Sequence, residues 1–349
     1  MSISKRLEQA ISGEPVEHPV YLVYDWFVKN RDIDWQSLFD LGLGQMNHVD
    51  LLEFDRPNLD IVETKTLEHG KVRKDVRWIT DIGELHEYYL DGWRQEFMIK
   101  YPEDYRIMKH ALSDTTIMPT NSFYDQSVAE LDDRGITVGH LGWTQFECNR
   151  TAFQGIQVDF AGLERFSIDI ITEQPELLEL IELINGQTIE AFRCILKTRA
   201  KHIKLWENLT IETIGPVLYR KYLVPLYKRI FEVLDDSGKK LQVHYDGKLR
   251  LIAEDIAALP FDGIDSLTGV PEGDLSAADA RSFWPDKFLW LHPNLNWYTL
   301  PEKQLVEKIK RTVTDAGPSR FCLMISEEVP PEWESAVPIV LRTLQYMAI

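Results

Sequence analysis

Polar side chains able to bind a metal ion or move a proton follow short apolar runs at four places in the second half of the chain. A short apolar run that ends abruptly in such residues is typical of a buried strand delivering polar groups to the rim of a sheet. One strand-end histidine is more often a structural hydrogen-bonding group, whereas four such ends in succession favour a functional site. The four ends are Glu207-Asn208, His244-Tyr245-Asp246, His292-Pro293-Asn294 and Glu327-Glu328.

The apolar runs alternate with segments of helical periodicity, which predicts repeated β/α units around these ends. The run that ends in His244 lies between the helical patterns of Pro216–Asp236 and Leu249–Ala258. A strand between two helices belongs to a β/α repeat, and closed barrels of such repeats do their chemistry at the carboxyl ends of the strands. We therefore predict an α/β protein with a single (β/α)8 TIM-like barrel.

The first third of the chain carries additional elements. Pro19–Tyr24 is rich in β-forming residues and is predicted to be the first barrel strand, while Leu59–Leu67 and Lys71–Thr80 indicate a hairpin that turns at His69-Gly70. The chain of 349 residues has the length of one barrel with insertions. We predict a single domain over 1–349, with helical and hairpin insertions in about 1–115 and the main barrel in 116–349.

Two further patterns bear on the barrel and its pocket. Ile168–Lys197 is strongly helical, and Gly186 is predicted to separate two helices within it. Trp143 follows the apolar run Ile136–Gly142. An aromatic residue at that position usually fills the core, and the alternative is that Trp143 forms a pocket wall that contacts the substrate.

Composition excludes some classes of partner. The formal net charge of −18 and the pI of about 5.0 disfavour a nucleic-acid or anionic-membrane partner, because both require basic patches. Three cysteines without CxxC spacing argue against a disulfide framework or a thiolate zinc cluster. No apolar run approaches the roughly 18 residues that span a bilayer. We expect a cytoplasmic protein with no nucleic-acid and no membrane partner.

Over about 206–346 the chain resembles the uroporphyrinogen decarboxylase superfamily, which includes zinc-dependent methyltransferases that serve corrinoid proteins. The resemblance rests on four motifs and covers the first half of the chain only loosely. It implies a somewhat distorted β/α barrel. The motifs are Trp206-Glu207-Asn208-Leu209, the helix start Pro216–Pro225, Val243-His244-Tyr245-Asp246-Gly247, and Ser326-Glu327-Glu328-Val329-Pro330-Pro331.

Two departures from that family's pattern favour its demethylase branch. The stretch Pro19–Phe27 has no arginine to hold the carboxylates of a tetrapyrrole, which makes porphyrinogen decarboxylation improbable. Asp246 and Glu327 stand where the thiol-methylating members have cysteine ligands, and Cys322 is better explained as a core residue. A set of histidine and carboxylates gives a harder zinc, suited to polarising an ether or amine leaving group.

The resemblance therefore implies transfer of a methyl group from a small methyl donor to the cobalt of cobalamin carried by a corrinoid-binding protein, with a methoxylated aromatic compound as one candidate donor. On this resemblance, zinc is assigned to Glu207, His244 and Glu327. Asp246 is a fourth ligand, an orienting partner of His244 or a catalytic group. The remaining candidates are Tyr245 and Glu328 as acid or substrate contact, and Trp143, Asn208, His292 and Asn294 as substrate-binding residues.

Two alternatives stay open from the sequence. One is a metal-independent decarboxylase or lyase acting on a small carboxylic acid in the same barrel. The other is a non-catalytic barrel that binds a ligand or a corrinoid protein without turnover. The sequence also leaves the methyl donor and the oligomeric state open, with a homodimer as one alternative.

Overall fold

A closed barrel of eight parallel strands forms the core, as predicted. The computed structural model describes residues 1–141 and 150–347. Neighbouring strands follow chain order, and the last strand closes the barrel against the first. The strands are β1 (Tyr21–Tyr24), β2 (Leu43–Asp50), β3 (Gly135–His140), β4 (His202–Leu205), β5 (Lys240–His244), β6 (Gly263–Thr268), β7 (Phe288–His292) and β8 (Phe321–Met324).

Strand register sets the positions of the polar side chains inside the barrel. His244, the last residue of β5, is level with Asp265 of β6. The pairing of β6 with β7 then shifts between Ile264 and Leu267, where Ser266 has a φ of 60°. Such a bulge redirects a side chain next to it, and bulges are frequent beside active sites.

Helices surround the barrel, and the longer ones bury an apolar stripe. The helix Glu302–Ala316, for example, buries Leu305, Ile309 and Val313 at helical spacing. The other α-helices are Ile3–Ser12, Asp25–Lys29, Trp35–Asp40, Pro102–Ser113, Ser122–Leu131, Ala152–Gly155, Gly162–Ile171, Pro175–Ile195, Ile211–Leu218, Val224–Leu234, Ala253–Ala257, Ala277–Phe283 and Trp333–Gln345, with π-helical turns at Ile156–Ala161 and Tyr219–Leu223 and 3-10 turns at Arg250–Ile252 and Leu295–Thr299.

An antiparallel sheet is inserted between β2 and β3. Its first hairpin turns at His69 and Gly70, both with positive φ, which confirms the predicted turn. A separate two-stranded sheet pairs Leu52–Asp55 with Thr116–Pro119. The four strands of the larger sheet are Asp60–Glu68, Lys71–Thr80, Gly83–Leu90 and Trp93–Glu96.

The prediction that Gly186 separates two helices is wrong. The helix Pro175–Ile195 runs through Gly186, and the chain breaks earlier, between Ile171 and Pro175. Gly186 is exposed, so it costs the helix only about 1 kcal/mol relative to alanine. Burial of flanking residues such as Ile184 and Ile189 outweighs that cost.

Two smaller expectations concern Cys322 and membrane crossing. Cys322 lies in β8 and is completely buried, as expected of a core residue. Across 1–141 and 150–347, no helix combines the length and the apolar character that crossing a membrane requires.

Candidate functional site

Asp265 of β6 is the centre of a buried hydrogen-bond network inside the barrel. Its Oδ2 accepts a hydrogen bond from the Tyr24 hydroxyl at 3.0 Å and another from His244 Nδ1 at 2.7 Å. Lys204 Nζ lies 2.8 Å from the same oxygen, and neither side chain of this ion pair is exposed. Because Tyr24, Lys204, His244 and Asp265 come from four different strands, only closure of the barrel brings them together.

A second branch of the network leads from Lys204 towards the first two strands. Lys204 Nζ lies 3.0 Å from His48 Nε2, and His48 Nδ1 lies 3.0 Å from Asp25 Oδ1. The other oxygen of Asp25 accepts a hydrogen bond from Lys29 Nζ at 2.6 Å. A continuous chain of polar contacts therefore runs from Asp25 through His48 and Lys204 to Asp265.

Burial and the ion pair fix the charges of this network. Burial alone would raise the pKa of Asp265, but the Lys204 ammonium and the hydrogen bond from His244 hold it well below its usual range. Burial lowers the pKa of His48 to about 3, and the charge of Lys204 acts in the same direction. Burial likewise lowers the pKa of His292 to about 3. At neutral pH the ion pair is thus flanked by two neutral imidazoles.

His244 turns one ring nitrogen to this network and the other to Glu327. Because Nδ1 donates to Asp265, the neutral ring carries its lone pair on Nε2. That atom lies 3.6 Å from Glu327 Oε1, and both atoms are buried without a hydrogen-bond partner in the described part of the chain. Native proteins rarely leave such atoms unsatisfied, and two of them facing each other make this pair a candidate position for a ligand or a transferred proton.

The surroundings of the pair raise the pKa of both its members. Burial lowers the pKa of His244, but the hydrogen bond with Asp265 and the charge of Glu327 more than offset this, and the pKa lies above its usual value. Burial also raises the pKa of the Glu327 carboxyl. The Trp206 ring packs against the His244 ring with centroids 4.8 Å apart and helps to keep water away. Raised pKa values on two facing groups favour a proton at the pair, and such an arrangement suits acid–base chemistry.

Glu207 belongs to a different buried network. Its Oε2 accepts hydrogen bonds from the backbone N–H and the hydroxyl of Thr151, at 3.2 and 3.1 Å. Its Oε1 accepts from the Tyr227 hydroxyl at 2.9 Å. Tyr245, a predicted catalytic residue, is completely buried and donates to the Tyr227 hydroxyl at 3.0 Å. The structure therefore brings Glu207 together with Tyr245, and it brings His244 together with Glu327.

Three other predicted site residues lie at the ends of the same strands. Asn208 is exposed, and its backbone N–H donates to the carbonyl of His244 at 3.0 Å, which ties the ends of β4 and β5 together. Asp246 and Glu328 are exposed. Asp246 acts on His244 through its charge, which favours the protonated ring. Trp143 lies outside the described residues.

Two predicted substrate-binding residues, His292 and Asn294, lie at the end of β7 and form polar contacts within the protein. His292 is buried, with Nε2 3.3 Å from the Tyr24 hydroxyl. Asn294 is also buried, and its side-chain amide donates to the carbonyl of Gly269 at 2.8 Å and to Glu272. Asn294 therefore holds the loop that follows β6 against the end of β7.

The residues at the pair offer two of the three protein ligands that a catalytic zinc normally takes. His244 Nε2 and Glu327 Oε1 are donors of the right kind, and both lack a partner among the described residues. Both carboxylate oxygens of Glu207 already accept hydrogen bonds. Within 1–141 and 150–347, no group of three or more His, Cys, Asp or Glu side chains has the spacing of a metal site. The described residues thus do not complete a zinc site.

The sequence reasoning missed the residues that hold His244 in place. Lys204 lies between Ile203 and Leu205, and Asp265 follows Ile264. A charged residue inside a short apolar strand is a usable signal, because lysine and aspartate are almost never fully buried unless they are paired. Only the strand register shows that these two charges pair with each other.

Comparison with known proteins supports the fold. No protein-family model and no curated protein matches the chain. The solved structure of a methyltransferase from Methanosarcina mazei matches it with a TM-score of 0.57 at 12% identity, covering 98% of each chain. A catalytic module of the pneumococcal exo-β-D-N-acetylglucosaminidase StrH gives a TM-score of 0.38 at 11% identity, covering 94% of this chain and 84% of that one. The first likeness shows the architecture alone.

Proposed function

We propose that this protein is a methyltransferase that moves a methyl group from a small methoxylated aromatic substrate to the cobalt of a corrinoid protein. One observation carries the proposal: two buried atoms, His244 Nε2 and Glu327 Oε1, face each other 3.6 Å apart without hydrogen-bond partners in the described chain. They lie where β/α barrels do their chemistry. The likeness of the whole fold to a methyltransferase is in keeping with this class of reaction.

The pair is suited to assisting an oxygen leaving group. When the bond between the methyl carbon and the ether oxygen breaks, its electron pair stays on the oxygen. The proton held between Glu327 and His244 then passes to that oxygen, so that a neutral phenol leaves instead of a phenoxide. General-acid assistance of this kind is worth typically ~10²–10⁴-fold in rate. Asp265 keeps His244 in the tautomer and orientation that this transfer needs.

The methyl acceptor is a second substrate. Reduced cobalt, presented by the corrinoid protein, supplies the electron pair that bonds to the methyl carbon. Zinc bound at the pair would add Lewis-acid polarisation of the ether oxygen. The described residues give it only two ligands, His244 and Glu327. What this chain contributes is substrate orientation, exclusion of water and the proton.

A lyase or decarboxylase on a small carboxylic acid is the second candidate. The observation in its favour is the same buried pair, because a decarboxylation leaves a carbanion that must be protonated. Such an enzyme would release product without any methyl acceptor. A non-catalytic barrel would bind its ligand and release nothing.

The test is an anaerobic assay of the purified protein with 2-methoxyphenol and cob(I)alamin. We expect cob(I)alamin absorbance to fall and 1,2-dihydroxybenzene to form, both only when protein, methyl donor and cob(I)alamin are present together. Reactions lacking one component at a time are the controls. Product formation without cobalamin would replace methyl transfer with lyase or hydrolase chemistry.

A further inference from the structure

The strand Asp60–Glu68 forms one edge of the antiparallel sheet. Its nine residues pair with Lys71–Thr80 without a bulge, whereas no strand of the described chain pairs with its other side. An average strand has about 5–6 residues, and proteins usually protect an exposed edge with a short strand, a proline or a bulge. This edge has none of the three, so its backbone N–H and C=O groups are available to another strand.

Two aliphatic side chains on this strand are exposed to solvent, Ile61 at 53% and Leu67 at 78%. Across the ladder, Ile61 lies opposite Trp78 and Leu67 lies opposite Val72. Cross-strand partners share one face of a sheet, and Trp78 is buried on that face. The two aliphatic side chains therefore extend an apolar face outward to the free edge.

The hairpin determines which backbone groups point to the free edge. Its two-residue turn, His69-Gly70, makes Glu68 and Lys71 the first hydrogen-bonded pair. Hydrogen-bonded pairs alternate along an antiparallel ladder, so the even-numbered residues of the edge strand bond to Lys71–Thr80. The residues whose backbone groups face the free edge are Ile61, Glu63, Lys65 and Leu67.

These four residues are complementary to the same four residues of a second copy. When two edge strands run antiparallel about a two-fold axis at Thr64, Ile61 lies opposite Leu67 of the second copy. Glu63 then lies opposite Lys65 of the second copy, and the two Thr64 side chains meet at the axis. Apolar, oppositely charged and threonine pairs each stabilise such a ladder, and the symmetry forms the first two kinds twice.

Other registers are less favourable. An axis at Glu63 or at Lys65 would place like charges opposite each other, which destabilises a ladder. A shift of the axis by two residues would place a charged side chain opposite an aliphatic one. An axis between two residues would place free backbone groups opposite groups that already bond to Lys71–Thr80. A lysine on an edge strand usually deters pairing, and here Lys65 permits it in one register.

The register also suits the surroundings of the edge strand. A row of apolar side chains would cross the joined sheet, from Val72 and Leu67 of one copy to Ile61 and Trp78 of the other. Lys65, which lies opposite Lys74 in its own chain, would gain a carboxylate on its other side.

At the two ends, Asp60 would lie opposite Glu68 of the second copy. Glu68 already forms an ion pair with Arg73 at 2.8 Å, which limits the repulsion there.

We infer that Asp60–Glu68 is a homodimer interface, in which two copies join their four-stranded sheets edge to edge in this register. The partner is a second copy because the charges and the aliphatic side chains of the strand match the same strand reversed. The inference concerns assembly alone and does not depend on methyl transfer.

The experiment is sedimentation equilibrium of the purified protein over a dilution series. We expect the mass to approach twice the 40.6 kDa of one chain as the concentration rises. Glu63→Lys and Lys65→Glu should each raise the dissociation constant at least roughly tenfold, because each places like charges opposite each other twice. Lys303→Glu, an exposed change on the helix Glu302–Ala316, is the control and should leave it unchanged. Wild type that stays monomeric at every concentration would overturn the inference.

Mixing the two charge variants tests the register itself. In an equimolar mixture, the two lysines of Glu63→Lys lie opposite the two glutamates of Lys65→Glu. We expect the mixture to associate at least as tightly as wild type, although each variant alone is mostly monomeric. Circular dichroism confirms that both variants are folded. A mixture that stays monomeric, or a dimer that both single changes leave intact, would overturn the inference.

Discussion

Lys204 and Asp265 form an ion pair, 2.8 Å between Nζ and Oδ2, in which neither side chain is exposed to solvent. Taking two charges out of water costs several kcal/mol per ion, and the pair is tolerated only because its geometry and further hydrogen bonds offset that cost. Asp265 also accepts a hydrogen bond from His244. The ion pair therefore serves to orient His244 more than to stabilise the fold.

Removing Lys204 should destabilise the fold, because the buried Asp265 carboxylate loses its charged partner. We expect Lys204→Met to lower the free energy of unfolding by about 3–5 kcal/mol, because Asp265 becomes an unpaired buried carboxylate. Adding Asp265→Asn to Lys204→Met should recover part of that loss. Chemical denaturation measures both. Lys201→Met, which breaks a surface ion pair with Glu8, is the control and should cost at most about 1 kcal/mol. An equally small loss in Lys204→Met would contradict the assignment.

Glu207 should prove to be a structural residue. In Glu207→Gln, the amide NH₂ must face a hydrogen-bond donor of either Thr151 or Tyr227. We expect this to lower the free energy of unfolding by about 1–3 kcal/mol. Methyl transfer and the zinc content after zinc is supplied should equal those of wild type, as measured by the cob(I)alamin assay and metal analysis. If wild type retains zinc and this variant loses it, Glu207 is a zinc ligand, as the family resemblance implies.

His244→Ala complements that variant. It removes one of the two unpartnered atoms of the pair without touching the Glu207 network. We expect the protein to stay folded by circular dichroism, because His244 lies at the very end of β5, and to lose methyl transfer. Any zinc bound at the pair should be lost as well, since one remaining ligand binds zinc poorly. Full activity in His244→Ala would show that the reaction takes place elsewhere.

We expect the free energy of unfolding to fall in acid, because Glu8 in the helix Ile3–Ser12 becomes protonated. The hydrogen bond with His202 is the main cause that lowers the pKa of Glu8 to about 2, and Lys201 adds to it. The unfolded chain has a value near 4.3, so the folded state favours the carboxylate. Its stabilising effect is present above pH of about 4.3 and is lost as pH falls towards about 2.

Glu8→Gln is the variant that tests this. The unfolding free energies of wild type and Glu8→Gln should differ at pH 6, and the difference should become smaller as the pH falls below about 4 towards about 2. Solvent screening keeps the difference small, because the Glu8 side chain is 41% exposed. A difference that stays constant or grows as the pH falls would rule out this contribution from Glu8.

The sequence allowed the barrel to be predicted because most of its strands are short apolar runs between helical patterns. β2 was missed for a physical reason. It carries Gln45, Asn47, His48 and Asp50, so it lacks the apolar character of a buried parallel strand. His48 of this strand contacts both Lys204 and Asp25, so the strand that was hardest to recognise contributes a residue to the buried network.

The site could be predicted only in part. Convergence of the strand ends follows from the barrel, and it correctly placed His244 near Glu327. Which carboxylate faces His244 from inside the barrel depends on the register of β5 against β6. No spacing in the sequence encodes that register, so Asp265 was overlooked.

The measurement that most directly tests the proposed chemistry compares two neighbouring glutamates. Glu327 is mostly buried at the pair, whereas Glu328 is exposed. The rate of cob(I)alamin consumption with 2-methoxyphenol should fall by about 10²–10⁴-fold in Glu327→Gln, because the amide cannot supply the proton. In Glu328→Gln it should stay within about threefold of wild type. Equal rates in wild type and Glu327→Gln would contradict the account.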